Sequence, residues 1–317
     1  MSFTSDIKKE LTTVAVGKKC CQLAQIAGFL RFAGSLTLGS GRFGIRLATE
    51  NPAVLRLFIT LIKEYFGTRG ELSVENSVLP ISKSRTYGLE ITPEMNSEGI
   101  LRESGILSVR EGRNIITETI DADIVKKRCC KKAFLRGVFL AAGMATDPAK
   151  SYQLELSCES ETLAADIRKL IANVGLKAKI TQRRSKYVIY IKDAEQISDF
   201  LGLIGASNEL FRFENMRITK EMRNTANRAL NCENANLQRS VNAAQKQIAD
   251  IKYIEQTCGL DHLPAALQQT ALIRMENPEL SLTDLAQLFD PPLAKSGLNH
   301  RLAKITKAAD ELRNGNF

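Results

Sequence analysis

One helical segment occurs twice in this chain, and its repetition constrains the fold more than any other feature. The stretch KKCCQLAQIAGFLRFAG spans Lys18 to Gly34, and KRCCKKAFLRGVFLAAG spans Lys127 to Gly143. Both copies place a Cys pair, an internal glycine and a final Ala-Gly at the same spacing. Self-similarity at a fixed offset indicates an internal repeat. The chain is therefore expected to contain two copies of one structural unit.

The segments that follow the two helices match in type and order. Alternating apolar and polar residues predict strands, and each copy continues with a helix, a second strand and a closing helix. Asn51 and Ser160 suit N-cap positions, and Gly67 and Gly175 suit left-handed positions at helix ends. Two αββαββα units are thus predicted. Their strands are GIRLATE (44–50), KSRTYGLEI (83–91), YQLELSCE (152–159) and RRSKYVIYI (183–191), and their helices are 51–67, 98–107, 160–175 and 195–205.

Each repeated helix contains an internal glycine, Gly28 in the first copy and Gly137 in the second. A glycine inside a helix costs roughly 1 kcal/mol relative to alanine, so a repeated glycine needs a structural reason. Close approach of the two helices, with Gly28 facing Gly137, supplies one and places a pseudo-twofold axis between two sheets. Such a saddle of strands fits a DNA duplex, with basic strand residues near the phosphates; the alternative is that these charges are merely solvated. The candidate backbone contacts are Arg42, Arg46, Arg85, Arg183, Arg184 and Lys186.

The ends of the repeated helices, IAGFLRFAG and LRGVFLAAG, resemble the motif of LAGLIDADG homing endonucleases. In active members of that family, an acidic residue before the last glycine of each motif holds a divalent metal for phosphodiester cleavage. Ala33 and Ala142 occupy those positions here, and a methyl group cannot coordinate magnesium. The resemblance therefore implies a degenerate scaffold without catalytic residues. A nuclease that uses other acids, such as Glu50 or Asp147, is the enzymatic alternative.

The seven cysteines are not predicted to bind zinc. The chain has no Cys-x-x-Cys motif, and its two histidines, His262 and His300, lie far from the Cys pairs in the sequence. Adjacent cysteines project to different sides of a helix and are not expected to share a metal easily. They are interpreted as small buried or half-buried thiols, and no metal or cofactor is expected. Seven cysteines without a secretory leader indicate a reducing, intracellular compartment.

The last third of the sequence has a different residue composition and a helical rather than a mixed pattern. Residues 213–259 contain no proline, and their only glycine is the last residue. Val241, Ala244, Ile248 and Ile251 keep helical spacing, which predicts one long helix or two helices broken near 231–236. The many Asn and Arg residues are interpreted as part of a polar linker helix, with contacts to DNA or a partner as the alternative.

Three shorter helical patterns follow, at 263–278, 281–289 and 298–312. Ser281 with Asp284 three residues later is close to a capping box. A short helix, a turn at 290–297 and a second helix are typical of a helix-turn-helix. At about 100° per residue, one face of the last helix is apolar and is expected in the core. That face contains Leu298, Leu302, Ile305 and Ala309.

The opposite face of the last helix is small, polar and cationic, as a helix lying in the major groove requires. Asn299 is expected to pair with adenine and Arg301 with guanine or phosphate, while the lysines take phosphates. The alternative is an ordinary amphipathic helix with a solvated face, and His300 has no partner that would make it a metal ligand. The candidate recognition residues are Lys295, Ser296, Asn299, His300, Arg301, Lys304 and Lys307.

Over its whole length the sequence resembles the WhiA family of regulators from Gram-positive bacteria. The resemblance rests on SFTSDIKKEL, the two Cys-Cys helices, NCENANLQRSVNAAQKQIADIKYIEQTCGL and PPLAKSGLNHRLAKI. It implies a degenerate homing-endonuclease scaffold tethered to a helix-turn-helix like region 4 of bacterial sigma factors. It also implies roles in sporulation in filamentous relatives and in cell division or chromosome segregation in others.

These observations predict an α+β fold, in which a tandem LAGLIDADG-like domain precedes an all-α helix-turn-helix domain. The expected boundaries are 1–112 and 113–212 for the two repeats, 213–260 for a helical linker and 261–317 for the helix-turn-helix. The net charge of +9 suits a protein that meets phosphates. The expected function is a non-enzymatic, cytoplasmic and nucleoid-associated regulator of transcription. Its expected partners are double-stranded DNA and other regulators or division proteins, without a membrane or a small-molecule substrate. The alternative is a protein-interaction scaffold for the division machinery, with DNA binding secondary.

Overall fold

A computed structural model describes residues 2–39, 41–76, 85–111 and 113–315 of the chain. The chain forms two compact units, Met1–Lys220 and Glu221–Phe317. The first unit combines helices with two four-stranded sheets, and the described part of the second unit is helical. None of the described helices combines the length and the apolar character that a membrane crossing needs.

Both αββαββα units are present in the first compact unit, as predicted. Helix α1 and the hairpin β5–β6 stand outside the repeated pattern. The elements outside the pattern are α1 (Phe3–Leu11), β5 (Leu107–Arg110) and β6 (Arg113–Ile116). Those of the first repeat are α2 (Lys19–Ala33), β1 (Gly34–Gly39), β2 (Arg42–Thr49), α3 (Pro52–Phe66), β3 (Glu71–Asn76), β4 (Arg85–Ile91) and α4 (Ser97–Glu103). Those of the second repeat are α5 (Arg128–Ala142), β7 (Gly143–Ala145), β8 (Leu154–Cys158), α6 (Glu161–Ala172), β9 (Lys179–Arg183), β10 (Lys186–Ile191) and α7 (Ala194–Ile204).

The two sheets have equivalent antiparallel topologies, β1-β2-β4-β3 in the first repeat and β7-β8-β10-β9 in the second. Along β2, Ile45 and Leu47 are buried and Arg46 between them is exposed. Successive side chains of a strand point to opposite faces, so the alternation gives the sheet one side packed on helices and one open side. The second sheet shows the same alternation in β8, where Leu154 and Leu156 are buried.

Local capping signals place the helices close to their predicted positions. The Asn51 side chain accepts a hydrogen bond from the backbone N–H of Ala53 at 3.0 Å, and Gly67 closes α3 in the left-handed region at φ +71°. One predicted strand differs from the structure. The segment 183–191 is the end of β9, a turn and then β10, because Arg184 has a φ of +56°, which a strand does not allow. The predicted strand 83–91 begins outside the described residues, and its described part is β4.

Helices α2 and α5 pack together at the centre of the first unit. A Cβ atom on Gly28 would collide with the backbone carbonyl of Phe134, and one on Gly137 would collide with that of Gln25. Only glycine therefore allows this approach, as the sequence predicts. The two glycines do not face each other, however. Gly28 lies against α5 at Phe134, about one turn before Gly137, and Gly137 lies against α2 at Gln25, about one turn before Gly28.

The second unit has a separate hydrophobic core. Helix α8 continues without a break through residues 231–236, which decides between the two expectations for this segment. Helix α8 (Ser207–Thr257) begins in the first unit, and its residues from Glu221 onward belong to the second. The other helices of the second unit are α9 (Ala265–Glu276), α10 (Leu282–Gln287) and α11 (Lys295–Arg313). The core includes Ile251, Ile254, Leu285, Leu298 and Leu302.

Candidate nucleic-acid interface

Helices α10 and α11 form the predicted helix-turn-helix. The Ser281 hydroxyl accepts a hydrogen bond from the backbone N–H of Asp284 at 3.3 Å and donates one to its carboxylate at 2.7 Å. This cap fixes the start of α10 because it satisfies an N–H that has no partner within the helix. The turn is closed by the backbone N–H of Leu293, which donates to the carbonyl of Ala286 at 3.0 Å. The short helix and the turn thereby determine the direction of α11.

The apolar face of α11 is buried, as the helical periodicity predicts. Leu298, Leu302, Ile305 and Ala309 are each at most 1% exposed. Because one face of the helix packs into the core, the opposite face is held toward solvent. The exposed candidates on α11 are Lys295, Ser296, Asn299, His300, Lys304 and Lys307.

Arg301 differs from the other candidates because it is only half-exposed. Its guanidinium carbon lies 5.7 Å from the ring centroid of Phe289, two residues after the end of α10, which is cation–π distance. This contact has no signal in the sequence pattern, although Phe289 directly precedes the turn. The contact orients Arg301 along the flank of the exposed face. Lys307, by contrast, is exposed, and its Nζ lies 3.5 Å from Glu311 Oε1.

Three of the six candidate residues on the sheets form ion pairs. Their acidic partners have no distinguishing signal in the sequence, because neighbouring strands and loops bring them close. Exposed ion pairs contribute only about 0–1 kcal/mol, so Arg42 and Arg46 remain free to exchange a carboxylate for a phosphate. Arg183 is held more firmly, because the Glu155 side chain is only 13% exposed. The acids nevertheless reduce the positive charge of the open faces. The pairs are Arg42–Glu94 at 3.6 Å, Arg46–Glu90 at 3.7 Å and Arg183–Glu155 at 2.8 Å.

The remaining sheet candidates do not share one surface. Arg85 begins β4, and strand alternation puts it on the same side as the buried Leu89, away from the open face. Arg184 lies in the turn between β9 and β10, and Lys186 is paired in register with Arg183. The structure thus groups Arg42 and Arg46 on the open side of the first sheet, and Arg183 and Lys186 on that of the second.

The ends of α2 and α5 do not fit a divalent metal. Ala33 and Ala142 end the two helices and provide no oxygen ligand beyond the backbone. Glu50 is exposed, and Asp147 is exposed and accepts a hydrogen bond from the backbone N–H of Ala149 at 2.9 Å. Within the described ranges, no group of three or more potential ligand side chains lies at these helix ends.

A lysine from α1 lies at this position instead. The Nζ of Lys8 is 3.5 Å from the carbonyl oxygen of Ala141, where the C-terminal end of α5 favours a cation. Burial lowers the pKa of Lys8 from 10.5 to about 8, and the nearby Glu50 opposes this shift. Thr4 fixes α1 here, since its hydroxyl donates to the carbonyl of Ala145 at 2.8 Å and accepts from its N–H at 2.9 Å. Lys8 also lines an open cleft of about 760 Å³. Sequence reasoning missed Lys8, because its position depends on how α1 packs.

The four cysteines of the repeated helices come together. The Sγ atoms of Cys20, Cys21, Cys129 and Cys130 all lie within 4.8 Å of one another. Within one helix, two adjacent cysteines point to different sides, but the packing of α2 against α5 puts both pairs at the same end. Burial, with a smaller effect of the neighbouring thiols, raises the pKa of Cys21 to about 11 and that of Cys130 to about 12. A hydrogen bond with Cys21 lowers the pKa of Cys129.

The fold and the α10–α11 arrangement define a helix-turn-helix protein built on a duplicated LAGLIDADG-like scaffold. Residues 19–107 match the WhiA N-terminal LAGLIDADG-like domain, residues 131–223 the WhiA LAGLIDADG-like domain, and residues 226–309 the WhiA C-terminal HTH domain. The chain belongs to the WhiA family.

Several relatives match this chain over 99–100% of its length. The "Probable cell division protein WhiA" of Clostridium perfringens (strain 13 / Type A) is 42% identical over 317 residues and covers 100% of both chains. The protein of the same name from Caldicellulosiruptor saccharolyticus is 39% identical, over 99% of this chain and 97% of its own length. The crystal structure of "full-length DUF199/WhiA from Thermatoga maritima" has a TM-score of 0.59 and 26% identity, and covers 98% of this chain and 99% of that one.

Proposed function

We propose that this chain is a non-enzymatic, DNA-binding regulator that acts as a transcription factor. The observation that carries the proposal is the exposed face of α11, which a capped α10 and a closed turn hold away from the core. A helix of this kind enters the major groove, which is wide enough for one helix with its side chains.

The residues on α11 divide into two roles. Asn299 hydrogen-bonds the edge of an adenine, and Arg301, oriented by Phe289, contacts a guanine or a phosphate at the flank. Lys304 and Lys307 neutralise phosphates, while Lys295, Ser296 and His300 line the start of the helix. Phosphate contacts position the protein and base contacts give specificity. The basic residues on the open sides of the two sheets add contacts to the DNA backbone.

The chain does not cleave the DNA that it binds. Ala33 and Ala142 supply no ligand at the two helix ends, and the ammonium group of Lys8 lies beside Ala141 there. A cation at this position attracts a phosphate but repels a divalent metal ion. The LAGLIDADG-like scaffold therefore serves as a binding surface rather than a nuclease.

The names of the relatives support a role in cell division. The WhiA resemblance adds sporulation and chromosome segregation as related processes. A regulator of this type acts on the nucleoid in the cytoplasm, together with other regulators or division proteins, and needs neither a membrane nor a small-molecule substrate.

Fluorescence anisotropy of the full chain on a duplex DNA, across a salt series with and without Mg²⁺, tests this function. Each lost phosphate contact lowers the salt slope by about 0.9, so Lys304→Ala and Lys307→Ala should each reduce it by about one. Lys252→Ala, an exposed lysine on α8, is the matched control and should leave the slope unchanged. The DNA should stay intact with Mg²⁺. Equal slopes for all variants, or metal-dependent cutting, would contradict the proposal.

A second function, a scaffold for protein partners, has its own supporting observation. Apolar side chains are exposed along α8, with Leu230 57% and Leu237 65% accessible. Exposed apolar residues at helical spacing suit a partner helix. Loss of partner binding in Leu230→Asn/Leu237→Asn, with DNA affinity unchanged, would favour the scaffold. Loss of cellular function on disabling α11 alone would favour the DNA-binding regulator.

A further inference from the structure

The cysteine cluster lies at the opposite end of the central helix pair from Ala33 and Ala142. Cys20 and Cys21 are in the first turn of α2, and Cys129 and Cys130 are in the first turn of α5. The two pairs come from different repeats and are related by the same internal symmetry as the helices. Four neighbouring thiols form a ligand set suited to zinc and similar ions, because soft thiolate ligands select these metals.

We propose that these four cysteines bind one zinc ion in a closed, tetrahedral site of four thiolates that joins the two repeats. In such a site Zn–S bonds of about 2.3 Å place the sulfur atoms about 3.8 Å apart. The Sγ atoms here lie within 4.8 Å of one another, and those of Cys129 and Cys130 are 4.0 Å apart. Small side-chain rotations therefore suffice to close the site. A cluster with several iron atoms would hold opposite thiolates further apart than one ion does.

The electrostatic surroundings suit an anionic metal centre. Four thiolates around Zn²⁺ carry a net charge of −2, which needs compensation. The sulfur atoms lie at the N-terminal ends of two helices, where the helix dipoles favour negative charge. Lys18 acts electrostatically on Cys129, and the half-buried Arg136 acts on Cys21. The basic segment KKRCCKK adds further cations around the second pair.

Polar side chains of the same two helices are held in place near Cys21. The Arg136 guanidinium donates to the carbonyl of Ile204 at 2.6 Å and to Gln25 Oε1 at 3.2 Å. Gln25 lies one turn after Cys21 and is fully buried, and its Nε2 has no hydrogen-bond partner among the described residues. Donors of this kind next to a metal site orient its ligands and tune their basicity.

The role that follows is structural. All four ligands come from the protein, which leaves no position for a substrate and defines a structural rather than a catalytic zinc site. The ion would clamp the N-terminal ends of α2 and α5 together, so that the angle between the two sheets is fixed at this end. The competing chemistry is a disulfide between the two helices, which the same distances allow only after oxidation.

Metal content of the full chain, purified under reducing conditions, tests the site directly. Elemental analysis should find one zinc ion per chain. Exchange with Co²⁺ should give the visible absorption of tetrahedral cobalt bound to thiolates. Cys20→Ser and Cys130→Ser should each lose the ion, whereas Cys232→Ser should retain it, because Cys232 is an exposed cysteine on α8.

Protection of the wild-type thiols provides a test that does not depend on the folding of a variant. With zinc, the four cluster cysteines should resist alkylation, and a chelator should make them reactive, as peptide mapping of the labelled protein would record. Cys232 should react equally in both conditions. A wild-type chain that takes up neither Zn²⁺ nor Co²⁺, or whose cluster cysteines react alike with and without zinc, would overturn the proposal.

Discussion

The residues of α11 illustrate how burial on one side of a helix determines what the other side can do. Leu298, Leu302 and Ile305 pack into the core and prevent α11 from rotating about its axis, so the Asn299 side chain is held toward solvent. An amide that reads adenine needs such a fixed position, because a bidentate hydrogen bond tolerates little misalignment. The apolar periodicity of the sequence was sufficient to predict this face.

Asn299→Ala should relax specificity at one base pair by about 1–3 kcal/mol. The amide supplies both a donor and an acceptor, and alanine supplies neither. Binding to a randomised duplex library, followed by sequencing of the bound fraction, measures the preference at each position. Gln256→Ala, which removes an exposed amide on α8 away from this face, is the matched control. An equal loss of affinity for every sequence would instead identify Asn299 as a backbone contact.

Lys8 is a residue that sequence periodicity could not identify. Its neighbours, Ala141 and Glu50, come from other elements, so only the tertiary structure brings the three together. The same holds for Arg301 and Phe289, and for Arg46 and Glu90. Partners of this kind depend on packing between elements, whereas a helical face depends on spacing within one element.

The lowered pKa of Lys8 makes stability depend on pH in a defined direction. The unfolded chain retains the usual value of 10.5 and the folded chain has about 8, so between these values the unfolded state binds more protons. Stability of the wild type should therefore rise with pH across this window relative to Lys8→Met. Thermal unfolding of both proteins from pH 7 to pH 10 measures the difference. The exposed neighbour Lys9, changed to Met, is the control. A pH-independent difference for Lys8→Met would refute the buried-ammonium explanation.

The elements of the two repeats follow from local signals. Caps at Asn51 and Ser160 and the period-two strands predicted most of the helices and strands near their observed bounds. The strand predicted at 183–191 is confirmed over 186–191, but its start was placed too early because a hairpin turn at Arg184 precedes it and the turn residues are as polar as the strands around them. The meeting of the two Cys pairs was also missed: each adjacent pair was considered on its own helix, although the predicted packing of the two repeated helices brings both pairs to the same end.

The α2–α5 contact should tolerate no side chain at its glycines. In Gly28→Ala the new methyl group would overlap the backbone carbonyl of Phe134, and the two helices would have to separate. Overpacking of this kind costs about 1–3 kcal/mol. Denaturant unfolding monitored by circular dichroism measures the loss. Gly297→Ala on α11 is the matched control, because its Cβ would meet no atom within 4 Å. Equal stabilities of the two variants would show that the helices are not in close contact.

At the scale of the whole molecule, the proposed regulator would combine a general and a specific means of contacting DNA. The repeat unit offers basic residues on two open sheet faces, partly neutralised by neighbouring acids, and the second unit offers one helix face. Backbone contacts add affinity that depends on salt, and base contacts add discrimination that largely does not. Each unit has its own hydrophobic core, so the two contributions are separable by truncation.

Separation of the chain between Lys220 and Glu221 should divide these contributions. The piece 221–317 should retain the sequence preference of the full chain with a shallower salt dependence, because it lacks the phosphate contacts of the sheets. The piece 1–220 should bind DNA weakly and without preference. Anisotropy of each piece over a salt series gives both slopes.

In the full chain, Arg42→Ala/Arg46→Ala should lower the slope toward that of 221–317, and Arg56→Ala, an exposed arginine on α3, is the control. A full chain whose slope equals that of 221–317 would mean that the sheets do not touch DNA, and that their arginines serve the ion pairs alone.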